Sequence, residues 1–84
     1  MLNLDWDKRY DILYIRISDT SNSYGDEVEN GLVILRDMED ETITGVTIFD
    51  FVKRYNAGTL ESLKIPININ FDKDVYPRVQ TYLQ

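Results

Sequence analysis

The chain has 84 residues, nine Lys and Arg against fifteen Asp and Glu, a formal net charge of −6, and neither His nor Cys. These absences exclude disulfides, thiolate nucleophiles and thiolate zinc sites, and with them the imidazole base, the Ser–His–Asp triad and His-ligated metals. With 43% hydrophobic and 29% charged residues, the composition is that of a single small globular domain over residues 1–84, with a core that leaves little stability to spare.

The first predicted strand, Leu2 to Asp7, alternates apolar and polar residues and turns Leu2, Leu4 and Trp6 inward. Residues 7–11 are polar and form a turn. Ile12 to Ser18 is rich in β-branched and aromatic residues and reads as a second strand. Leu13, Ile15 and Ile17 share one face; Ile12, Tyr14 and Arg16 share the other, and both faces carry large apolar groups. Residues 19–25 read as a loop, because Asp, Ser, Asn and Gly compete with regular backbone bonding. Asp26 to Asn30 either begins an edge strand or stays irregular. Leu32 to Arg36 is an apolar run of strand length, consistent with burial on both faces. A charged hairpin connection follows at 37–41, then a fourth strand from Thr42 to Phe49, in which Gly45 marks a bulge or a close backbone approach.

The period then changes. Asp50 to Tyr55 reads as a short helix with Asp50 at or near its N-cap, stopped by Gly58. Thr59 to Leu63 forms a further helical turn, and Pro66 pushes Ile65 into an extended conformation. Ile65, Ile67, Ile69 and Phe71 alternate with Pro66, Asn68 and Asn70, which fits an edge strand or an extended arm. Asp72 to Gln84 is helical, with Val75, Val79, Tyr82 and Leu83 on one stripe. Pro77 is tolerated in the first turn if Asp72 or Asp74 caps it. The expected fold is α+β: an antiparallel meander of about four strands followed by short helices, the C-terminal helix packed on the sheet. Two short helices cover one face of such a sheet. The other face, or an edge, is expected to meet a second copy of the chain, most simply as a dimer.

Charge is unevenly placed. Residues 1–50 hold twelve acids and four bases, a balance of −8, whereas residues 51–84 hold three acids and five bases, a balance of +2. Asp26, Glu27, Glu29, Asp37, Glu39, Asp40 and Glu41 stand against Arg36 alone. This run is either two solvated loops flanking a strand or an acidic surface that steers a basic partner. An acidic chain is a poor nucleic-acid binder, and Lys53, Arg54 and Tyr55 are too few to change that. No apolar run reaches the ~18 residues of a membrane span. The N-terminus has no signal-peptide pattern, so a cytoplasmic protein without membrane contact is expected.

Few groups carry chemistry. Asp7 and Asp11 bracket the first turn, with Asp5 nearby. Such carboxylates bind Mg²⁺ or Ca²⁺, or serve acid–base chemistry. Equally, they bond turn amides and the guanidinium of Arg9 or Arg16, which is the commoner use. The acids at 37–41 lack the central Gly and the spacing of a calcium loop. Ser18 and Ser62 have no His to activate them, and the four glycines are too scattered for a phosphate loop. No catalytic residue, cofactor or metal is expected. The chain has six tyrosines and one tryptophan. Tyr10, Tyr14, Tyr24, Tyr55, Tyr76 and Tyr82 suit either half-buried packing or an interface, and Tyr14 is the first choice for a functional role.

Trp6 to Ser18 resembles the opening signature of a small prokaryotic family, the domain of unknown function 2283, whose pattern is close to Tyr-Asp-x-x-x-Asp-x-Leu-Tyr-Ile-x-Leu-Ser. Trp6 replaces the usual Tyr, while Asp7, Asp11, Leu13, Tyr14, Ile15 and Ser18 fall in place. The second half of the pattern is met by Leu32 to Arg36, the acidic turn, and Gly45-Val46-Thr47-Ile48-Phe49-Asp50. The turn lacks its usual Gly, and Thr47 stands where an acid is common. The resemblance covers roughly residues 4–52. It implies a β-rich fold with a following helix and no known activity. Some members look like partners of small toxin-like proteins, which implies an antitoxin-like binding role.

These readings converge on a non-enzymatic protein-interaction module whose partners are itself and a small basic toxin-like protein. The candidate surface comprises Tyr14, Arg16, Asp26, Glu27, Glu29, Asp37, Glu39, Asp40 and Glu41. Two alternatives stand beside it: an acidic inhibitor that imitates nucleic acid on a basic enzyme, and a metal-assisted hydrolase built on Asp5, Asp7 and Asp11.

Overall fold

A computed structural model of the chain describes residues 3–67 and 69–83. Leu2, Asn68 and the side chains of Tyr82 and Leu83, all placed by the sequence pattern, lie outside the described residues. Five strands form one antiparallel sheet: β1 (Asn3–Asp7), β2 (Ile12–Arg16), β3 (Ser23–Glu29), β4 (Leu32–Asp37) and β5 (Ile43–Phe49). Three helical pieces follow: α1 (Phe51–Ala57), a single 3₁₀ turn at Leu60–Ser62, and α2 (Tyr76–Leu83), entered through a wide π-type turn at Phe71–Val75. The class is α+β as expected, with one strand more than the sequence pattern indicates. The extra strand is β3, whose first residues, Ser23 to Gly25, are read from composition as loop.

Spatial order is β1-β2-β5-β4-β3. β3, β4 and β5 form a meander. The β1–β2 hairpin joins it through β5, so β2 and β3, consecutive in sequence, stand three places apart. Residues 17–22 make this crossing over one end of the sheet. The Ile17 and Ser18 amides donate to the Thr44 carbonyl at 2.8 and 3.1 Å, and the Met38 amide donates to the Asn22 carbonyl at 2.9 Å.

Register fixes which side chains share a face. Trp6, Leu13, Ile48 and Leu32 stand in one cross-strand row, and Leu4, Ile15, Val46 and Ile34 in the next. These rows meet Phe51, Leu60, Leu63, Val75 and Val79 in a single core. Leu13, Leu32, Val46, Ile48, Phe51 and Val75 are wholly buried. The C-terminal helix therefore packs on the sheet. Residues 65–67 and 69–70 form no strand; Ile65, Ile67 and Ile69 pack against the core as an arm.

Gly58 ends α1 in a left-handed conformation, as its spacing indicates, but the side chains that cap the helix starts differ from those expected. Asp50 occupies the N-cap position of α1, but in a left-handed conformation and without a side-chain cap bond. Before α2 the capping residue is Asn70 rather than Asp72 or Asp74. Its side-chain oxygen accepts from the Asp72 and Lys73 amides at 3.0 and 3.1 Å, and the Asp74 carboxylate accepts from the Asn70 amide at 3.1 Å. This reciprocal box lets the chain enter the helix ahead of Pro77, which offers no amide of its own.

Candidate interaction face

The alternate residues of the same strands form the other side of the sheet. Its middle row runs Asp5, Tyr14, Thr47, Val33, Glu27; the row beside it runs Asn3, Arg16, Gly45, Leu35, Gly25; the third pairs Asp7, Ile12 and Phe49. None of these apolar side chains belongs to the helix-covered core or packs against it. Tyr14 is 42% exposed and Phe49 38% exposed, while Ile12, Val33 and Leu35 are half-buried. Thr47, short between longer neighbours, is buried. The centre of this face is thus an apolar patch, which a soluble sheet ordinarily covers or makes polar.

Gly45 shapes the patch. A Cβ built there would stand 2.7 Å from the Ile15 carbonyl oxygen and 3.1 Å from Leu35 Cδ1. The position therefore excludes a side chain, and the ladder slips by one residue beside it, opposite Leu35 and Arg36. Both expectations for this glycine, bulge and close approach, hold together. A shallow dent of about 540 Å³ on this face is lined by Asn3, Asp5, Tyr14, Arg16, Thr20, Leu35 and Thr47 among others.

The predicted site residues separate into two groups. Tyr14, Arg16 and Glu27 lie on the open face. Most of the acids at 26–41 are occupied elsewhere. Asp26 lies in the row of Ile34, on the opposite face, 3.7 Å from Arg36. Asp37 accepts from the Glu39 and Asp40 amides at 2.8 and 3.4 Å. Asp40 accepts from the Thr42 amide and hydroxyl at 3.0 and 2.8 Å, and the amide bond holds its carboxyl below the usual carboxylate range. Glu41, left-handed at φ 61, accepts from the Tyr24 hydroxyl at 3.3 Å; partial desolvation and this neighbour raise the Tyr24 phenol. Among the described residues only the Glu27, Glu29 and Glu39 side chains of the seven acids have no partner. Asp37 and Asp40 thus serve the turn itself, whereas Asp26 and Glu41 are held by Arg36 and Tyr24.

The turn carboxylates do not converge. Asp7 accepts from the Arg9 and Tyr10 amides at 2.9 and 3.2 Å, the turn role expected of it. Asp11 does something the sequence pattern does not reveal. From a left-handed position at φ 54 its carboxylate accepts from Trp6 Nε1 at 2.9 Å and from the Val52 and Lys53 amides at 2.8 and 3.2 Å. The Asp11 carbonyl takes the Phe51 amide at 3.1 Å. One residue of the first turn thus caps α1, from forty-one residues away in sequence. No guanidinium meets Asp7 or Asp11 among the described residues, and no group of three acids there could hold a metal ion.

The small basic-aromatic cluster is also structural. Arg54 donates to the Phe49 and Asn30 carbonyls, both at 2.9 Å. The Tyr55 hydroxyl donates to Asp72 at 2.5 Å, and its ring stacks on Tyr76 with centroids 4.1 Å apart. Ser62 donates its hydroxyl to the Thr59 carbonyl at 2.6 Å.

The family model described as a protein of unknown function (DUF2283) matches residues 3–51. The chain belongs to the DUF2283 family. The matched segment holds all five strands and ends on the first residue of α1. The DUF2283 signature acids therefore have visible uses: Asp7 shapes the first turn, and Asp11 docks that turn onto the helix that follows the sheet. No curated protein and no solved structure matches the chain. Among the described residues no helix is long and apolar enough to cross a membrane.

Proposed function

We propose that this DUF2283 chain is a non-enzymatic protein-interaction module that docks a distinct partner chain on its open sheet face. The observation that carries the reading is the uncovered apolar centre around Tyr14, Val33, Leu35 and Phe49, backed by a sheet whose other side is already filled. A patch of this kind costs solubility unless something covers it. Tyr14 supplies what interface residues supply, a large ring with a polar tip and few rotamers to freeze. The specific form of the reading is antitoxin-like: a small basic protein held inactive against this surface. The proposed setting is the cytoplasm, where a fold that uses no disulfide loses nothing to reducing conditions.

Photo-crosslinking in the native host tests this. A photoreactive phenylalanine replaces Tyr14 or Phe49 on the open face, and Lys64, exposed between the 3₁₀ turn and the arm, serves as control. Adducts of defined mass from Tyr14 and Phe49, and none from Lys64, support the reading. Silence at both face positions, equal capture at Lys64, or adducts only of twice the chain mass overturn it; the last outcome makes the face a homodimer contact.

A further inference from the structure

The charges around the open face define its partner more narrowly. Asp5 and Asp7 stand on β1, at one lateral edge, and Glu27 stands on β3, at the other. The two edges are four strand spacings apart, roughly 19 Å. Between them lies the apolar centre, with Arg16 as the single cation of the three rows. The surface is therefore an apolar strip bordered by Asp5 and Asp7 on one side and by Glu27 on the other.

Backbone chemistry decides what form of chain can lie there. A face, unlike an edge, offers no free backbone amides or carbonyls. Whatever covers it must satisfy its own backbone, which leaves a helix or another sheet. A second copy of this sheet is disfavoured by its own charges. In an aligned face-to-face pair the two-fold axis runs along or across the strands. Along them, Asp5 and Asp7 meet the other copy's Glu27; across them, Asp5 meets its own equivalent. A helix about 10–12 Å wide, side chains included, fits between the rims. Lys or Arg flanking its apolar stripe can then reach carboxylates on both sides while their stems cover the strip.

We infer that the open face receives an amphipathic α-helix from the partner, with basic residues on both flanks of its apolar stripe. This rests on the docking role proposed above and adds the chemistry of the docked segment. Asp5 and Glu27 are exposed, and neither side chain has a partner among the described residues, so both are available to it.

The probe is an 18-residue synthetic Leu–Lys helix with lysines along both borders of a leucine stripe, titrated into the full ¹⁵N-labelled chain. Its counterpart carries Glu at every Lys position. The expected result is shift changes centred on Tyr14, Val33 and Thr47, no binding of the Glu peptide, and affinity that falls as salt rises. Asp5→Lys combined with Glu27→Lys should weaken the Lys peptide at least tenfold while leaving the spectrum folded. Perturbations centred on the helix layer, no binding of the Lys peptide, or an unchanged affinity in the double variant overturn the inference. So does sedimentation showing a dimer that occludes Tyr14. If those results coincide with crosslinks from Tyr14 and Phe49 to another protein, the docking role stands and only the helical, basic partner falls.

Discussion

Asp11 does the work of three residues. Its carboxylate replaces the absent side-chain cap at Asp50, offers an acceptor to the Trp6 indole, and places negative charge at the N-terminus of α1. Asp11→Ala is expected to cost about 2–3 kcal/mol, the sum of a lost cap and a part-buried indole N–H left without this acceptor. Asp7→Ala, which loses only exposed turn bonds, should cost about 1 kcal/mol or less. Urea denaturation of the two variants checks the order, and equal midpoints would refute it. The value of Asp11 is invisible in sequence for a plain reason. Aspartate in a turn is ordinary, and nothing local announces that a helix end forty-one positions later comes to lie above it. Gly45, by contrast, declares itself, since a glycine inside a β-branched run has few uses besides a bulge or a contact that forbids a Cβ.

At the scale of elements, two side chains of α1 add to the tie that Asp11 makes to the helical layer. Arg54 ties α1 to the strand ends, and Tyr55 ties α1 to the segment that opens α2. The bond to Asp72 pushes the Tyr55 phenol up from 10.0 to about 12. The folded chain holds this proton more tightly than the unfolded chain does, so the contribution is complete below about pH 10 and is lost as pH rises through about 12. Ultraviolet phenolate titration should therefore show Tyr55 as a late component in the native protein. In Asp72→Asn that tyrosine should titrate earlier; an unchanged curve would mean the bond does not form in solution. Elements of this layer are only partly legible. Period and Gly58 locate α1, and Pro66, within the arm, keeps a helix from continuing there. Strand or arm for residues 65–70 depends on whether a sheet edge is free beside them, and here the arm packs on the core instead.

At the scale of the molecule, alternation in the strands announces a sheet with two apolar faces, and the face bearing Tyr14 is the one left open. The acidic stretch is the weaker guide. A charge count cannot distinguish a carboxylate already bonded within the fold from one that awaits a partner, and in residues 37–41 Asp37, Asp40 and Glu41 are of the first kind. The acids that border the open face, Asp5 and Glu27, are set by register rather than by clustering, and register is a property of strand order. That order is the part least open to inspection of the chain. Neighbouring strands usually pair in sequence, so inserting β5 between β2 and β4 is a choice made by tertiary packing.

The insertion of β5 also sets a timetable for folding. β5 is the strand that joins the two hairpins, and it is the last of the five to emerge during synthesis. Until residue 49 is available, β1–β2 and β3–β4 are separate ribbons, each too small to persist in water. A fragment ending at residue 42 should therefore show no dispersed amide spectrum, whereas adding β5 together with the helical layer should restore cooperative structure in one step. The rate of that step would be governed by bringing β2 and β5 together across some thirty residues of chain, not by either turn. Half of this sheet is no more folded than none of it.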